Sequence, residues 1–320
     1  MLKLEKNLQK KFDHAAKAIR RRLDKRPGRD VLRGMIQTLH VGKFRKCTKL
    51  GGSELSKIVD NGGLAGVDGS TNTAGGAFPY VVTMQRALAK TCSKHPEISE
   101  VEVFSPLLFD DLISEDEYRE YVKKNLADIE VRAAKKVLER YKPQVILMDG
   151  SLVRYKIEAA SEWEELCRTA AMEGTAVVGV VEGISTRAIS SAMKNKLPVD
   201  LLNASDWEML FGILDVGEVL EMSPGLFKDG FFTCFMRSSY DPLPIGLDLL
   251  EEQKGYMCMA QDLIFTLTPK NGRGIPVWLD IIDSKVRITD DLIDRMLRTY
   301  LGQDYFEFMV PKRERRSKLW

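Results

Sequence analysis

The sequence predicts an α/β protein in which a mixed β-sheet is flanked by helices, with a basic helical extension at the N-terminus. Short apolar runs at 64–67, near 79–84 and at 101–105 are separated by turn-forming residues, which indicates an antiparallel start to the sheet. Apolar runs at 145–148 and 176–181 then alternate with helical segments, as parallel strands joined by crossover helices do. Both kinds of pairing in one chain indicate a mixed sheet.

The helices are predicted from apolar residues that recur every three or four positions. Residues 1–40 are expected to be helical with a break at Pro27-Gly28, and residues 41–63 to be irregular apart from one short helix. A long helix is expected over 115–142, and a strand pair near 229–247. Further helices are predicted near residues 185–196, 205–215, 249–267 and 283–301, with Thr289 as a cap or kink in the last.

Both ends of the chain are basic although the net charge is only +2. Residues 1–49 contain 16 lysines and arginines and 4 acidic residues, and a second basic cluster spans Lys312 to Lys318. We therefore divide the chain into a basic helical N-terminal region (1–60), a central domain (61–305) and a basic C-terminal tail (306–320). Basic ends on an acidic body favour contact with a polyanion, and the alternative is that they are solvated arms.

Composition excludes several classes of protein and site. The chain has no apolar run long enough to cross a membrane and no apolar signal-peptide core, so we expect a cytoplasmic protein without membrane contact. Its five cysteines form no C-x-x-C pair, which argues against zinc and against a disulfide framework. All histidines lie in the first third, so a metal site elsewhere would use oxygen ligands, which favours magnesium or manganese.

Two aspartates follow apolar strands, and each is followed by Gly-Ser. Asp68 comes after LAGV and Asp149 after VILM. In open α/β sheets, ligands bind beyond the carboxyl ends of the strands, so these carboxylates could share a divalent ion. The alternative is that D-G-S is ordinary turn chemistry.

Two more carboxylates are candidates for the same site. Glu130 lies on or beside the apolar stripe of the long helix, and a carboxylate that faces a core needs a cation. That cation is either a metal ion or a buried Arg or Lys. In GIPVWLDIID, Asp280 and Asp283 lie one helical turn apart; Asp283 is preferred because it follows Ile281-Ile282, and Asp280 is its rival.

These motifs resemble, in order, those of the NurA nuclease family: GVDGST at 66–71, IEVRAA at 129–134, VILMDGSL at 145–152, VVGVVEGIS at 177–185 and GIPVWLDIID at 274–283. The resemblance implies a ribonuclease H-like core, with 61–305 as a NurA-like nuclease domain. It implies a 5′-to-3′ exonuclease and single-strand endonuclease acting on DNA. It also implies a homodimer and a partnership with HerA, a hexameric DNA-translocating ATPase, in DNA end resection or phage defence.

The resemblance further implies a set of metal ligands. Carried over by position, the ligands are Asp68, Glu130 and Asp149, and Asp283 stands at the last position of the family's set. The mechanism that fits is two-metal hydrolysis, in which two Mn²⁺ or Mg²⁺ ions about 4 Å apart activate a water and stabilise the leaving 3′-oxygen.

The chain departs from the family's motifs at two positions. Ile275 precedes Pro276 where relatives have tyrosine, and Glu182 stands where relatives often have lysine. The cations that could contact phosphate instead are Arg154, Lys156 and Arg187. Ser70 and Ser151 could bind substrate phosphate, or they could cap the segments that follow, which we favour for Ser151.

Two other classes of function remain open at this point. An actin- or hexokinase-like ATPase also places acidic strand ends beside phosphate loops, but those loops are D-x-G-[ST], and Glu130 would have no role in them. A catalytically weak or inactive subunit that binds DNA or an ATPase with the same fold is favoured by Ile275 and Glu182, and opposed by the four retained carboxylates. In either nuclease or subunit, the basic N-terminal arm would contact the DNA backbone or dock on the ATPase.

Overall fold

A nine-stranded mixed sheet organises the chain, in the order β1-β7-β8-β9-β6-β5-β2-β3-β4. The computed structural model describes residues 6–111 and 113–309. The strands are β1 (Gly42–Lys46), β2 (Leu64–Gly75), β3 (Val81–Thr91), β4 (Ile98–Phe104), β5 (Val145–Asp149), β6 (Ala176–Val181), β7 (Glu218–Met222), β8 (Phe231–Arg237) and β9 (Ile245–Leu250). The sheet confirms the predicted α/β class.

Helices cover both faces of this sheet. The α-helices are α1 (Lys6–Asp24), α2 (Arg29–Thr38), α3 (Gly52–Asp60), α4 (Glu115–Tyr141), α5 (Leu152–Glu158), α6 (Ala160–Glu173), α7 (Ala188–Ala192), α8 (Asp206–Leu210), α9 (Met257–Leu267), α10 (Val277–Val286) and α11 (Asp290–Leu301). Short 3₁₀ turns span Pro106–Leu108, Val199–Leu201 and Glu251–Tyr256, and a π-helical turn spans Tyr305–Met309.

The centre of the sheet has the predicted mixture of strand directions. Strands β2, β3 and β4 pair antiparallel, and β5 then pairs parallel to β2 and β6 parallel to β5. Parallel neighbours need crossover connections, which α4 supplies before β5, and α5 with α6 before β6. The carboxyl ends of β5 and β6 therefore lie at one edge of the sheet.

The half of the sheet beyond β6 differs from the prediction. The predicted strand pair near 229–247 is confirmed as β8 and β9, and β7 is a further antiparallel strand beside β8 that was not predicted. Strand β1 is the edge strand beside β7, within a segment predicted to be irregular. Its sequence, GKFRK, has little apolar character, so its strand conformation comes from backbone pairing with β7.

Two apolar layers hold the helices against the sheet. Val67 and Met148 pack with α4, α5 and α6 on one face, and Trp163 belongs to the same layer. Leu147 and Val178 pack with α9 and α10 on the other face. Because side chains alternate along a strand, the two faces of β2 and β5 point at different helices.

Several predicted boundaries were wrong. Strand β2 extends far beyond the predicted apolar run at 64–67, because it stays paired with β3 as far as Gly75. The strand predicted near 79–84 is β3, which begins at Val81 and ends at Thr91. The helix predicted near 283–301 is divided into α10 and α11, and Thr289 caps α11 by accepting the Leu292 N–H at 3.2 Å.

The basic N-terminal helices are attached to the body of the protein. The predicted break at Pro27-Gly28 lies between α1 and α2. Arg22 of α1 forms an ion pair with Glu208 at 2.6 Å. The basic cluster from Lys312 to Lys318 lies outside the described residues. Within the described ranges, the helices are all too short or too polar to cross a membrane.

Candidate active site

Asp68 and Asp149 lie side by side where β2 separates from β5. The parallel ladder ends at the pair Val67–Met148, and each aspartate is the next residue of its strand. Val67 and Met148 face α4, so alternation turns both aspartates toward α10. Asp149 ends its strand as predicted. Asp68 does not, because β2 continues along β3, but it does stand where the pairing with β5 ends.

Asp283, on α10, is the third carboxylate near Asp68 and Asp149. Burial raises the pKa of Asp68 to about 7, and the negative charges of Asp149 and Asp283 add to the rise. Burial likewise raises the pKa of Asp149 to about 6, with Arg273 opposing the rise and Asp283 adding to it. Asp283 is partly exposed and forms an ion pair with Arg287 at 2.9 Å. The three aspartates therefore lie within one electrostatic environment.

Glu130 reaches the same strand from the opposite face of the sheet. It is 2% exposed, as the apolar stripe of α4 predicted, and its carboxylate forms an ion pair with Arg154 of α5. Gly69 makes this approach possible, since a Cβ atom there would lie 2.2 Å from Glu130 Oε1. The Gly69 N–H donates to Asp68 Oδ1 at 2.7 Å. The glycine of the first D-G-S therefore gives room to one carboxylate and a hydrogen bond to another.

The donor set suits a hard divalent cation. Within residues 6–111 and 113–309, no three acidic, histidine or cysteine side chains are close enough together to hold an ion between them. Arg154 and Arg273 supply positive charge beside the carboxylates instead. The raised pKa values of Asp68 and Asp149 show that this charge does not fully offset their burial and mutual repulsion. A bound cation would offset both, and carboxylate oxygens are the ligands that Mg²⁺ and Mn²⁺ prefer.

The two serines of the D-G-S motifs hold the surrounding backbone together. Ser70 Oγ accepts the Ile288 N–H at 3.0 Å, which ties β2 to the segment between α10 and α11. Ser151 immediately precedes α5, but its side chain makes no capping bond. It donates to Asp248 of β9 at 2.8 Å, so the capping role that we favoured was wrong. The Ser151 oxygen, which would accept a backbone N–H in a cap, instead accepts from Lys228 at 2.9 Å.

The three side chains predicted to contact phosphate lie in different surroundings. Arg154 alone of the three contacts a predicted ligand, Glu130. Lys156 is exposed; its ammonium lies over the ring of Phe231, 5.5 Å from the centroid. Arg187 is exposed and immediately precedes α7.

Sequence reasoning missed Arg273. Its guanidinium donates to Glu182 at 2.6 Å and to Asp280 at 2.7 Å, and its charge lowers the pKa of Asp149. Asp280 therefore binds an arginine, and Glu182 holds the same arginine near the carboxylates. Ile275, in the position of the family's tyrosine, is buried in the core beneath α10. The only signal for Arg273 was its place between two glycines just before GIPVWLDIID.

Two NurA structures resemble this chain in fold. One with manganese superposes with a TM-score of 0.55 at 9% identity, covering 91% of this chain and 98% of that chain. A second NurA structure gives 0.51 at 10% identity, covering 92% of this chain and 98% of that chain. These likenesses show that the chain has the fold of the NurA structures. No match was found among curated proteins. Residues 62–288 match the profile of the NurA domain, and the chain belongs to the NurA family.

Proposed function

We propose that the chain is a metal-dependent DNA nuclease that hydrolyses phosphodiester bonds. Membership of the NurA family supports a nuclease. The observation that carries the proposal is the pair Asp68 and Asp149 at the end of the β2–β5 ladder, with Glu130 approaching from one face and Asp283 from the other. Uncompensated negative charge at a strand end is what a site for divalent cations requires.

The proposed cofactor is Mn²⁺ or Mg²⁺, as two ions bound by Asp68, Glu130, Asp149 and Asp283. The NurA structure with manganese supports the choice of ion. When bound, such ions would lower the pKa of a water and stabilise the leaving 3′-oxygen. The residues of the chain orient the ligands: the Gly69 N–H holds Asp68, and Arg154 holds Glu130.

Arg154 and Arg273 would then bind the DNA backbone. Arg154 pairs with Glu130, and Arg273 is near enough for its charge to lower the pKa of Asp149. A guanidinium binds phosphate oxygens in a planar, bidentate manner. Glu182 stands where relatives often have a lysine. Arg273, which is paired with Glu182, would supply the positive charge in place of that lysine. Lys156 and Arg187 are more distant candidates for the same strand of DNA.

The finer features implied by the resemblance belong to the same proposal. They are digestion from 5′ to 3′, cleavage within single strands, a homodimer, and action with a HerA-type ATPase in end resection or phage defence. In this proposal the chain has three parts: a basic region (1–60), a nuclease domain (61–305) that cleaves the DNA, and a basic tail (306–320). The N-terminal region would contact DNA or the ATPase through its positive charge.

One alternative has support in the structure. A weak or inactive subunit that binds DNA or the ATPase would explain Glu182, Ile275 and the absence of a three-carboxylate cluster among the described residues. An ATPase function is less well supported, because Asp68-Gly69-Ser70 lies inside the continuous strand β2 and forms no phosphate-binding loop.

The deciding experiment is cleavage of end-labelled linear DNA by the purified chain with Mn²⁺. We expect cleavage that EDTA abolishes and that Asp149→Ala reduces by about a thousandfold, the loss of several kcal/mol of electrostatic stabilisation. If the chain stays inactive with every divalent ion, the assay is repeated with the HerA-type ATPase. Inactivity in its presence would favour the binding subunit.

Gly69→Ala gives a second test of the site. The added Cβ would lie 2.2 Å from Glu130 Oε1, so the carboxylate must move. We expect cleavage to fall about a hundredfold, as a displacement of about 1 Å does in a preorganised site. Gly52→Ala, where a Cβ meets no atom within 4 Å, serves as the control. Equal activity of the two variants would show that Glu130 does not need its present position.

A further inference from the structure

A pocket of about 390 Å³ lies beside the candidate active site, between α5, the segment after β6, and strands β8 and β9. Ser151 and Arg154 form the side of the pocket that is nearest the carboxylates. The remaining walls are mostly apolar: Val153, Ile157, Ile184, Phe227 and Phe235. Phe227 and Phe235 meet edge to face with their centroids 5.7 Å apart.

A buried ion pair contributes to the same pocket. Asp248 lies on β9 with a fully buried side chain, and Lys228 donates to it at 2.6 Å. Thr233 and Ser151 each donate to the same carboxylate at 2.8 Å. Burying a carboxylate and an ammonium has a desolvation cost that a well-packed apolar pair would avoid. The bonds to Asp248 offset this cost and hold β8, β9 and the start of α5 around the pocket.

We infer that this pocket binds a nucleobase of the DNA strand, next to the phosphodiester bond that is cleaved. The inference rests on the proposed nuclease function and deepens it. Ser151 follows Asp149 by two residues, and Arg154 pairs with Glu130, so a strand whose phosphate lies at the carboxylates passes the opening of the pocket. A volume of about 390 Å³ accommodates one nucleoside, and apolar and aromatic walls bind the faces of any base.

The hydrogen bonds of the cluster bear on specificity. The three ammonium protons of Lys228 are accounted for by two bonds to Asp248, at 2.6 and 2.8 Å, and one to Ser151, at 2.9 Å. Thr233 also donates its proton to Asp248. These donors already have acceptors, so they could form a hydrogen bond with the edge of a base only by breaking a buried one. This cluster therefore does not distinguish one base from another, and we expect the pocket to bind adenine, cytosine and thymine alike.

The test compares single strands of thymidylate with abasic strands of the same length, by fluorescence anisotropy in EDTA. Uniform strands make the result independent of binding register, and EDTA separates it from cleavage. We expect the wild type to bind the thymidylate strand about tenfold more tightly, the contribution of stacking one base. Strands of adenylate and cytidylate should bind like thymidylate.

Two variants test whether the preference for base-containing strands comes from the pocket. Ser185→Leu places a larger side chain at an exposed position in the lining, and Phe227→Ala removes an aromatic wall. Both should bring base-containing and abasic strands to nearly equal affinity, whereas Ser161→Leu, at an exposed position of α6, should keep the tenfold preference.

The possible results distinguish failure of the pocket inference from failure of the nuclease proposal. If the wild type shows no preference for bases, or if both pocket variants keep it, the pocket inference is overturned even when Mn²⁺-dependent cleavage is observed. If the preference and its loss are both seen but no ion supports cleavage, the pocket stands and the nuclease proposal fails.

Discussion

Asp283→Ala should lower metal-dependent DNA cleavage by about a thousandfold, whereas Asp280→Ala should lower it only about tenfold. The negative charge of Asp283 raises the pKa of both Asp68 and Asp149, so its carboxylate lies near them. The Asp280 carboxylate instead accepts a hydrogen bond from Arg273 at 2.7 Å. Loss of Asp280 would leave Arg273 held by Glu182 alone, which weakens the proposed phosphate contact without removing a ligand.

The measurement is single-turnover cleavage of a labelled strand at saturating Mn²⁺, with Mn²⁺ binding followed separately by calorimetry. Asp291→Ala, an exposed aspartate that is ion-paired to Arg295 within α11, controls for loss of a surface carboxylate. Asp283→Ala should also lose Mn²⁺ affinity, and Asp280→Ala should keep it. The reverse order of the two variants would make Asp280 the fourth ligand and would assign Asp283 to its ion pair with Arg287.

Asp68→Asn should abolish cleavage and, at the same time, stabilise the metal-free protein at pH 8. The carboxyl of Asp68 has a pKa of about 7 in the fold, against about 3.9 in the unfolded chain. Its protonated form is therefore favoured by folding, and that contribution is lost as the pH rises from about 4 to about 7. Above pH 7 the folded protein contains a buried, ionised carboxylate, which asparagine replaces without charge. We expect a gain of about 2 kcal/mol at pH 8 and almost none at pH 4.

Thermal unfolding in EDTA at the two pH values checks this expectation, with Asp60→Asn as an exposed control. Mn²⁺ at about a hundred times its Kd should then stabilise the wild type by about 2.7 kcal/mol at pH 8 and Asp68→Asn by much less. Destabilisation by Asp68→Asn at pH 8, or equal stabilisation of both proteins by Mn²⁺, would show that Asp68 has a structural role and does not bind the ion.

The central strands and the edge strand β1 show what sequence patterns can predict. Strands β5 and β6 were predicted almost to the residue, because each is a continuous apolar run between helices with clear periodicity. Strand β1 was missed, because its residues become a strand only through pairing with β7, which is more than 170 residues away along the chain. The long β2 was cut short for a related reason: its polar second half, STNTAG, is held by β3 and has no apolar signal.

The sequence by itself determined the family, the mixed sheet and the four carboxylates proposed to bind metal. Asp68 and Asp149 follow apolar strands, and Glu130 lies on the apolar stripe of α4; these are patterns within a few residues, which local periodicity records. Only the tertiary structure decided which cations and hydroxyls meet them. Arg273 reaches Glu182 across 91 residues, and Ser151 reaches Asp248 across 97. Such contacts follow from how helices and strands pack around the sheet, and no spacing along the chain encodes that packing.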